Sequence, residues 1–396
     1  MSLQPISLSP DLKRLRDEGF NLQVVGGFLL VNDFPYVNKG RVVGRGTLVT
    51  NLTLAGDVTV QPDTHVAYFI GEYPCDHEGR ELEKIKNASN RTELSPGVVI
   101  DHTFSAKPVP SERYEDYYKK VLAYEAILGG QARILEPGAT ARTFPPIATD
   151  EDDSSSVFNY VDTASSRAEI DQVAAKLAIS NVALVGLGGT GSYILDLVAK
   201  TQVRHIHLYD QDDFLQHNAF RAPGALSVEQ LRTLPKKSGY LSSIYSKMHR
   251  GIVDHQSHVT SSNVEELRNM DFVFLSLDDG PAKLIIVGKL EEFGVPFIDV
   301  GMGIDLQEGA LGGVLRVTTS TVQKRDHVRT RVSFADAEIL NEYVANIQIA
   351  DLNALNAALA VIRWKKLFGF YRDLEHEFNS SYTLDGNFVI NSDGDQ

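Results

Sequence analysis

Short apolar runs separated by turn residues mark the first part of the chain. Leu22–Val31 and Gly40–Val49 are rich in Val, Leu and Phe and are bounded by Gly, Asn, Asp and Pro, the punctuation of strands. Val58–Tyr68 and Gly97–Ile100 read the same way. The period then changes. Tyrosines and aliphatics recur at helical spacing over Glu112–Leu128, and Gly129-Gly130 is the expected stop of that helix. Strands followed by one long helix make an α+β pattern. Thr143–Ser156 carries Pro145-Pro146 and then the polar run ATDEDDSSS, the composition of a solvated linker. A domain boundary is expected there, between residues 1–150 and 151–396.

Beyond the boundary the pattern alternates. A helix over Ser165–Leu177 leads to the strand Asn181–Val185. The glycine-rich stretch Gly186–Ser192 opens an apolar helix reaching Ala199. His205–Tyr209, Asp271–Ser276 and Val295–Val300 read as strands, with the helix Ala282–Phe293 between the last two. Ile349–Phe368 is a long amphipathic helix that ends at Gly369. Strands alternating with helices predict a mainly parallel sheet covered on both faces.

The glycine-rich turn brings in chemistry. Gly186, Gly188 and Gly191 fit G-x-G-x-x-G, directly after a strand and opening a helix, with Gly189 and Thr190 inside the motif. Glycines let the backbone approach a phosphate closely, and the helix N-terminus offers unpaired N–H groups. The next strand ends at Asp210, where an acid can take ribose hydroxyls. At this point the motif serves NAD or ATP equally. Composition narrows the field. The 396 residues carry a formal net charge of −14, which argues against a general nucleic-acid binder, and 43% are hydrophobic, enough for packed cores. A single cysteine, Cys75, excludes an internal disulfide and a multi-cysteine zinc site. With no long apolar run and no signal-peptide pattern, a cytoplasmic protein outside the membrane is expected.

The residues after the second strand decide between the nucleotides. In YDQDDFLQHNAFR, Asp210, Asp212, Asn218 and Arg221 match the D-x-D-x-V-x-x-x-N-x-x-R segment of the ThiF/MoeB/ubiquitin-activating superfamily. Lys237 in LPKKSGYLSS and Asp278 in FLSLDDGPAK follow in that family's order and spacing. Taken singly, Arg221 and Lys237 read as surface charges, and Asp278 and Asn218 as turn residues. Their joint order is what makes residues 160 to 370 resemble the family.

The resemblance implies a Rossmann-like adenylation domain behind the smaller α+β domain. It implies ATP and Mg²⁺ as cofactors and the C-terminal carboxylate of a ubiquitin-like or sulfur-carrier protein as substrate. Arg221 and Lys237 would hold phosphates, Asp278 would hold the metal, and Asp210, Asp212 and Asn218 would surround the nucleotide. The resemblance further implies a homodimer in which Arg167, on the helix before the first strand, reaches the partner's ATP. Many relatives carry a catalytic cysteine after the sheet. Here that stretch has none, which leaves Cys75, in an expected exposed Tyr-Pro turn near His65 and His77, as the one thiol able to form a thioester. The N-terminal domain itself resembles the ubiquitin-conjugating fold in outline, and carrier recognition is the other role open to it. Two further classes compete with adenylation: an NAD-dependent oxidoreductase on the same turn, and a non-catalytic relative that binds partners through the sheet.

Overall fold

The computed structural model describes residues 4–149, 156–335 and 347–394. Part of the expected linker, residues 150–155, lies outside them. The chain divides into two compact units, one from Met1–Asp153 with Tyr160–Glu169, the other from Ser154–Asn159 with Ile170–Gln396.

In the first unit, helices α1 (Gln4–Leu8) and α2 (Pro10–Asp17) precede an antiparallel sheet. Its six strands are β1 (Asn21–Val25), β2 (Phe28–Val37), β3 (Val43–Asn51), β4 (Val66–Ile70), β5 (Lys86–Ser95) and β6 (Val98–Ser105), in the order β1-β2-β3-β4-β6-β5. The expected strand Leu22–Val31 is a hairpin instead. Gly26 and Gly27 both take positive φ, +54° and +84°, and reverse the chain between Val25 and Phe28. Helix α3 (Tyr117–Leu135) starts at Asp116, whose carboxylate accepts the Lys119 N–H at 2.7 Å. Gly129-Gly130 does not stop it. The helix runs on to the residue before Glu136-Pro137, and Gly129 lies close to β2, where an added Cβ would sit 3.4 Å from Pro35 Cγ. Phe20, Phe34, Phe69, Phe104, Tyr117 and Tyr124 fill the core between α3 and the sheet.

The expected helix Ser165–Leu177 is broken. Glu169 has φ +56°, a left-handed conformation that ends a right-handed helix, so only α4 (Thr163–Arg167) and short turns beyond it form. The second unit then builds the alternating pattern: β7 (Asn181–Val185), α5 (Gly189–Val198), β8 (His205–Tyr209), α6 (Lys237–Tyr245), β9 (Ile252–His255), β10 (Phe272–Leu275), α7 (Gly280–Phe293), β11 (Phe297–Gln307) and β12 (Ala310–Ser320). Helix α8 (Ala350–Leu367) and the hairpin β13 (Asn379–Thr383) and β14 (Phe388–Ser392) complete it. The eight-stranded sheet has the order β9-β8-β7-β10-β11-β12-β13-β14, parallel from β9 to β11 and antiparallel beyond.

Strand β7 explains itself. Val182 and Leu184 enter a core with Ile194, Phe274 and Trp364, while Ala183 and Val185 enter a second core with Ile286, Val287 and Leu290. Both faces are buried, so the four positions Val182 to Val185 are all apolar. At the other end of the sheet, strand β14 is an edge on which Phe388, Val389 and Ile390 stand 52%, 48% and 50% exposed. Among the described residues, no helix is long and apolar enough to cross a membrane.

Candidate active site

The strand order reverses beside β7. The chain leaves it toward β8 on one side and later returns to β10 on the other, so a crevice opens at the C-terminal ends of β7 and β10. Gly186 and Gly191 shape its floor. Gly186 has φ +90°, and a Cβ there would lie 2.4 Å from the Ser276 carbonyl oxygen beyond β10. A Cβ on Gly191 would lie 2.0 Å from the Gly186 carbonyl oxygen. Gly188 meets nothing within 4 Å, so the N-terminus of α5 is open on that side. Its first N–H groups carry the partial positive charge of a helix start.

Asp210, at the end of β8, is 4% exposed. Its carboxylate accepts the Leu187 N–H at 2.7 Å and the Asp212 N–H at 2.9 Å, which ties the glycine-rich turn to the loop after β8. A carboxylate offers about four acceptor positions, so two remain for ribose hydroxyls. Asp212 pairs with Lys237 at 2.7 Å and with His258 at 3.2 Å. Burial works to raise its pKa, but Lys237 and His258 outweigh burial and hold the carboxyl below its ordinary value. The Lys237 N–H also donates to the Asp212 carbonyl at 2.8 Å, and the Lys237 side chain is largely buried at the start of α6.

Asn218 is buried. Its Oδ1 accepts the Leu215 N–H at 2.8 Å and its carbonyl accepts the Arg221 N–H at 3.1 Å, so it shapes the turn that presents Arg221. Arg221 Nε is buried without a hydrogen-bond partner. Burial pushes the guanidinium pKa down, and the opposing charge of Asp278 beyond β10 pushes it back up. A half-buried cation with an orphaned N–H, beside a cradle only glycine permits, suits a multiply charged phosphate. Among the described residues, the side chains close enough to share a metal ion are Asp210, Asp212 and His258, whose ligand atoms lie within 4.8 Å of one another, a set that does not include Asp278. His258 and Asn353 belong to this neighbourhood and escaped the sequence reading. His258 follows a strand too short to notice, and Asn353 lies on a helix read only as amphipathic.

Two expected residues lie elsewhere. Arg167 ends α4 in the first unit, exposed, with its guanidinium 5.8 Å from the Phe144 ring centroid. Cys75 is not on an exposed turn. It is buried, its backbone N–H donates to the Val37 carbonyl at 2.7 Å, and its Sγ faces the Tyr73 carbonyl at 3.5 Å. Burial raises the thiol pKa, and the charges of Glu81 and Asp76 raise it further. His65 is held by Ser105 at 3.0 Å and His77 by Gln131 at 3.1 Å. Antiparallel bridges from Cys75 to Val37 and to Glu81 tie this bend into the fold, pairings that the sequence does not show.

Residues 163–347 match the ThiF family, and residues 10–163 match a domain of unknown function, DUF6791. The C-terminal part of the chain is a ThiF family domain. It has a Rossmann-like fold with nucleotide-binding features. No curated protein matches the chain. Solved structures similar to it include E. coli MccB with MccA-N7isoASN, 17% identical over 56% of this chain and 66% of that one, TM-score 0.47. E. coli MccB with ATP is 15% identical over 56% and 65%, TM-score 0.43. A selenomethionine structure of PaaA is 16% identical over 70% of this chain and 94% of its own, TM-score 0.44. The chain thus spans about 65% of the length of the MccB structure with ATP. The residues that match the ThiF family hold the crevice described above, apart from Asn353.

Proposed function

We propose that this chain adenylates the C-terminal carboxylate of a ubiquitin-like or sulfur-carrier protein and releases pyrophosphate. The observation that carries the reading is the orphaned, buried Arg221 Nε at the glycine-floored crevice. A carboxylate oxygen attacks the α-phosphorus of ATP, the bond to the β-phosphate bridge breaks, and pyrophosphate departs with the electron pair. The product is the mixed anhydride of the carboxylate and AMP. The N–H groups of the glycine-rich turn bind phosphate, and Asp210 takes the ribose. Arg221 and Lys237 stabilise charge that builds on the leaving group, Arg as a fork and Lys as a point charge. Lys237 exchanges part of its pairing with Asp212 for phosphate as it does so. Asp278 is the residue that would hold Mg²⁺, through oxygen as that hard ion requires, and the ion would neutralise phosphate charge.

The remaining assignments complete the reading. Residues 1–150 serve carrier recognition and residues 151–396 adenylation. The enzyme works as a homodimer, with Arg167 reaching the partner's ATP. The buried Cys75 supports a reaction that stops at the adenylate, which passes to a separate acceptor. The test is exchange of labelled pyrophosphate into ATP, with a small glycine-ended protein encoded nearby as carrier. Carrier-dependent, Mg²⁺-dependent exchange is expected. Tight NAD binding with no exchange would sink the reading. Sedimentation tests the dimer: a fully active monomer removes the role of Arg167.

A further inference from the structure

One buried amide joins the two halves of the crevice. Asn353 lies in the first turn of α8 and is 1% exposed. Its Oδ1 accepts the Thr190 hydroxyl at 2.9 Å, within the glycine-rich motif. Its Nδ2 donates to the Arg221 carbonyl at 3.4 Å. Gly189 makes room for it, because a Cβ there would lie 2.1 Å from Asn353 Nδ2. The helix also buries the apolar Leu352, Ala357, Ala360, Val361 and Trp364, with Asn356 and Arg363 as its other buried polar residues. An apolar residue would anchor the helix at lower desolvation cost. Asn356 donates to the Gly301 carbonyl of the sheet at 3.0 Å, whereas Asn353 joins two elements of the crevice itself. It is a short neutral side chain with one acceptor and two donor hydrogens, and it meets a donor on one element and an acceptor on the other.

We propose that Asn353 is a positioning residue for adenylation: it clasps the Arg221 segment to the phosphate-binding turn and so fixes where the Arg221 guanidinium stands against the phosphates. This rests on the adenylation reading. Asn353 touches no reacting atom and acts through Arg221. The clasp belongs to the rate of pyrophosphate formation more than to the affinity for ATP, since the glycine turn and Asp210 hold the nucleotide without it. Catalytic rates respond steeply to small displacements of a charged group.

The experiment uses the full chain with Asn353→Leu and Asn353→Asp. Leucine keeps the bulk and removes both hydrogen bonds. Aspartate keeps the acceptor toward Thr190 and sets a carboxylate oxygen against the Arg221 carbonyl. ATP affinity is measured by calorimetry, pyrophosphate exchange gives kcat and KM, and Tm is taken for each variant. The expected result is a fall in kcat of roughly tenfold to 10²-fold, with ATP affinity changed by less than about threefold and, for Asn353→Leu, a Tm equal to wild type or higher. If both variants fail to fold, Thr190→Val removes the same clasp from the other side, and a lowered kcat at unchanged Tm is expected of it. Wild-type kcat in the folded variants, or loss of kcat only in step with loss of Tm, overturns the clasp and leaves adenylation standing. No exchange by the wild-type chain overturns the adenylation reading and the clasp with it.

Discussion

Two cations of this chain, one in each unit, are treated in opposite ways. In the first unit, Lys120 on helix α3 is 1% exposed yet occupied: its ammonium donates to the Thr50 hydroxyl and, at 2.9 Å, to the Thr64 carbonyl. Cys75 is closed in as well. In the ThiF domain, Arg221 keeps a buried N–H with no partner at the edge of a crevice. The difference follows from topology. Strands β1 to β4 are sequential neighbours, so the sheet has no reversal of order along them and no crevice there. A parallel sheet wound both ways from β7 must open at its strand ends. The ammonium of Lys120 is taken up by its own fold; Arg221, at the reversal, keeps a donor unused.

Four substitutions break or sharpen that contrast. The largest effect is expected from Arg221→Ala, which should lower pyrophosphate exchange by about 10²–10³-fold with little change in Tm. Equal loss of rate and of fold would put Arg221 on the structural side. Next is Gly191→Ala. Its Cβ would lie 2.0 Å from the Gly186 carbonyl oxygen, so the turn must deform. A loss of about 1–3 kcal/mol in unfolding free energy is expected, together with weakened ATP binding by calorimetry; unchanged binding would show that the floor is not the nucleotide site.

The third concerns Lys120, whose pKa burial pushes down to about 8, with Asp63 opposing. The unfolded chain holds that proton to a higher pH than the folded one. Stability of the first unit should therefore rise as pH climbs from about 8 toward the ordinary lysine value near 10.4. Lys120→Met should flatten that slope in denaturant titrations across the window. A slope that survives the substitution belongs to another group. The smallest effect is expected from Cys75→Ser: adenylate formation and carrier transfer at wild-type rates, read on a non-reducing gel. In the wild type, a thiol reagent should label Cys75 slowly when folded and quickly in denaturant. Rapid labelling of the folded chain would reopen the thioester route.

How much of this was legible in the sequence depends on what set each element. Asn181–Val185 and His205–Tyr209 match the strands residue for residue, because both stop at residues that turn the chain. Four strands of the second unit went unread. Ile252–His255 is too short for a period, Ala310–Ser320 is interrupted by Gly312-Gly313, and the final hairpin alternates too little apolar surface to register. The helix through Gly129-Gly130 was misjudged because packing against Pro35 overrides a weak local preference. For the site, order and spacing pointed to Asp210, Asn218, Arg221, Lys237 and Asp278. What spacing could not show is that Asp210 also braces the turn, that Lys237 is already paired, and that Asn353 comes from more than 130 residues beyond Arg221. Such contacts are tertiary, and no local period reports them.

Strand β14 has a consequence of a different kind. Its open backbone edge and its exposed Phe388, Val389 and Ile390 make a template on which another copy of the chain can pair, the geometry that seeds aggregation. The formal net charge of −14 works against that encounter, since like-charged copies repel before the edges meet. This protection is a matter of ionic strength. At about 1 M salt the screening length falls to roughly 3 Å, the repulsion no longer reaches from one surface to the next, and colloidal behaviour passes from the charge of the whole molecule to three side chains on its rim.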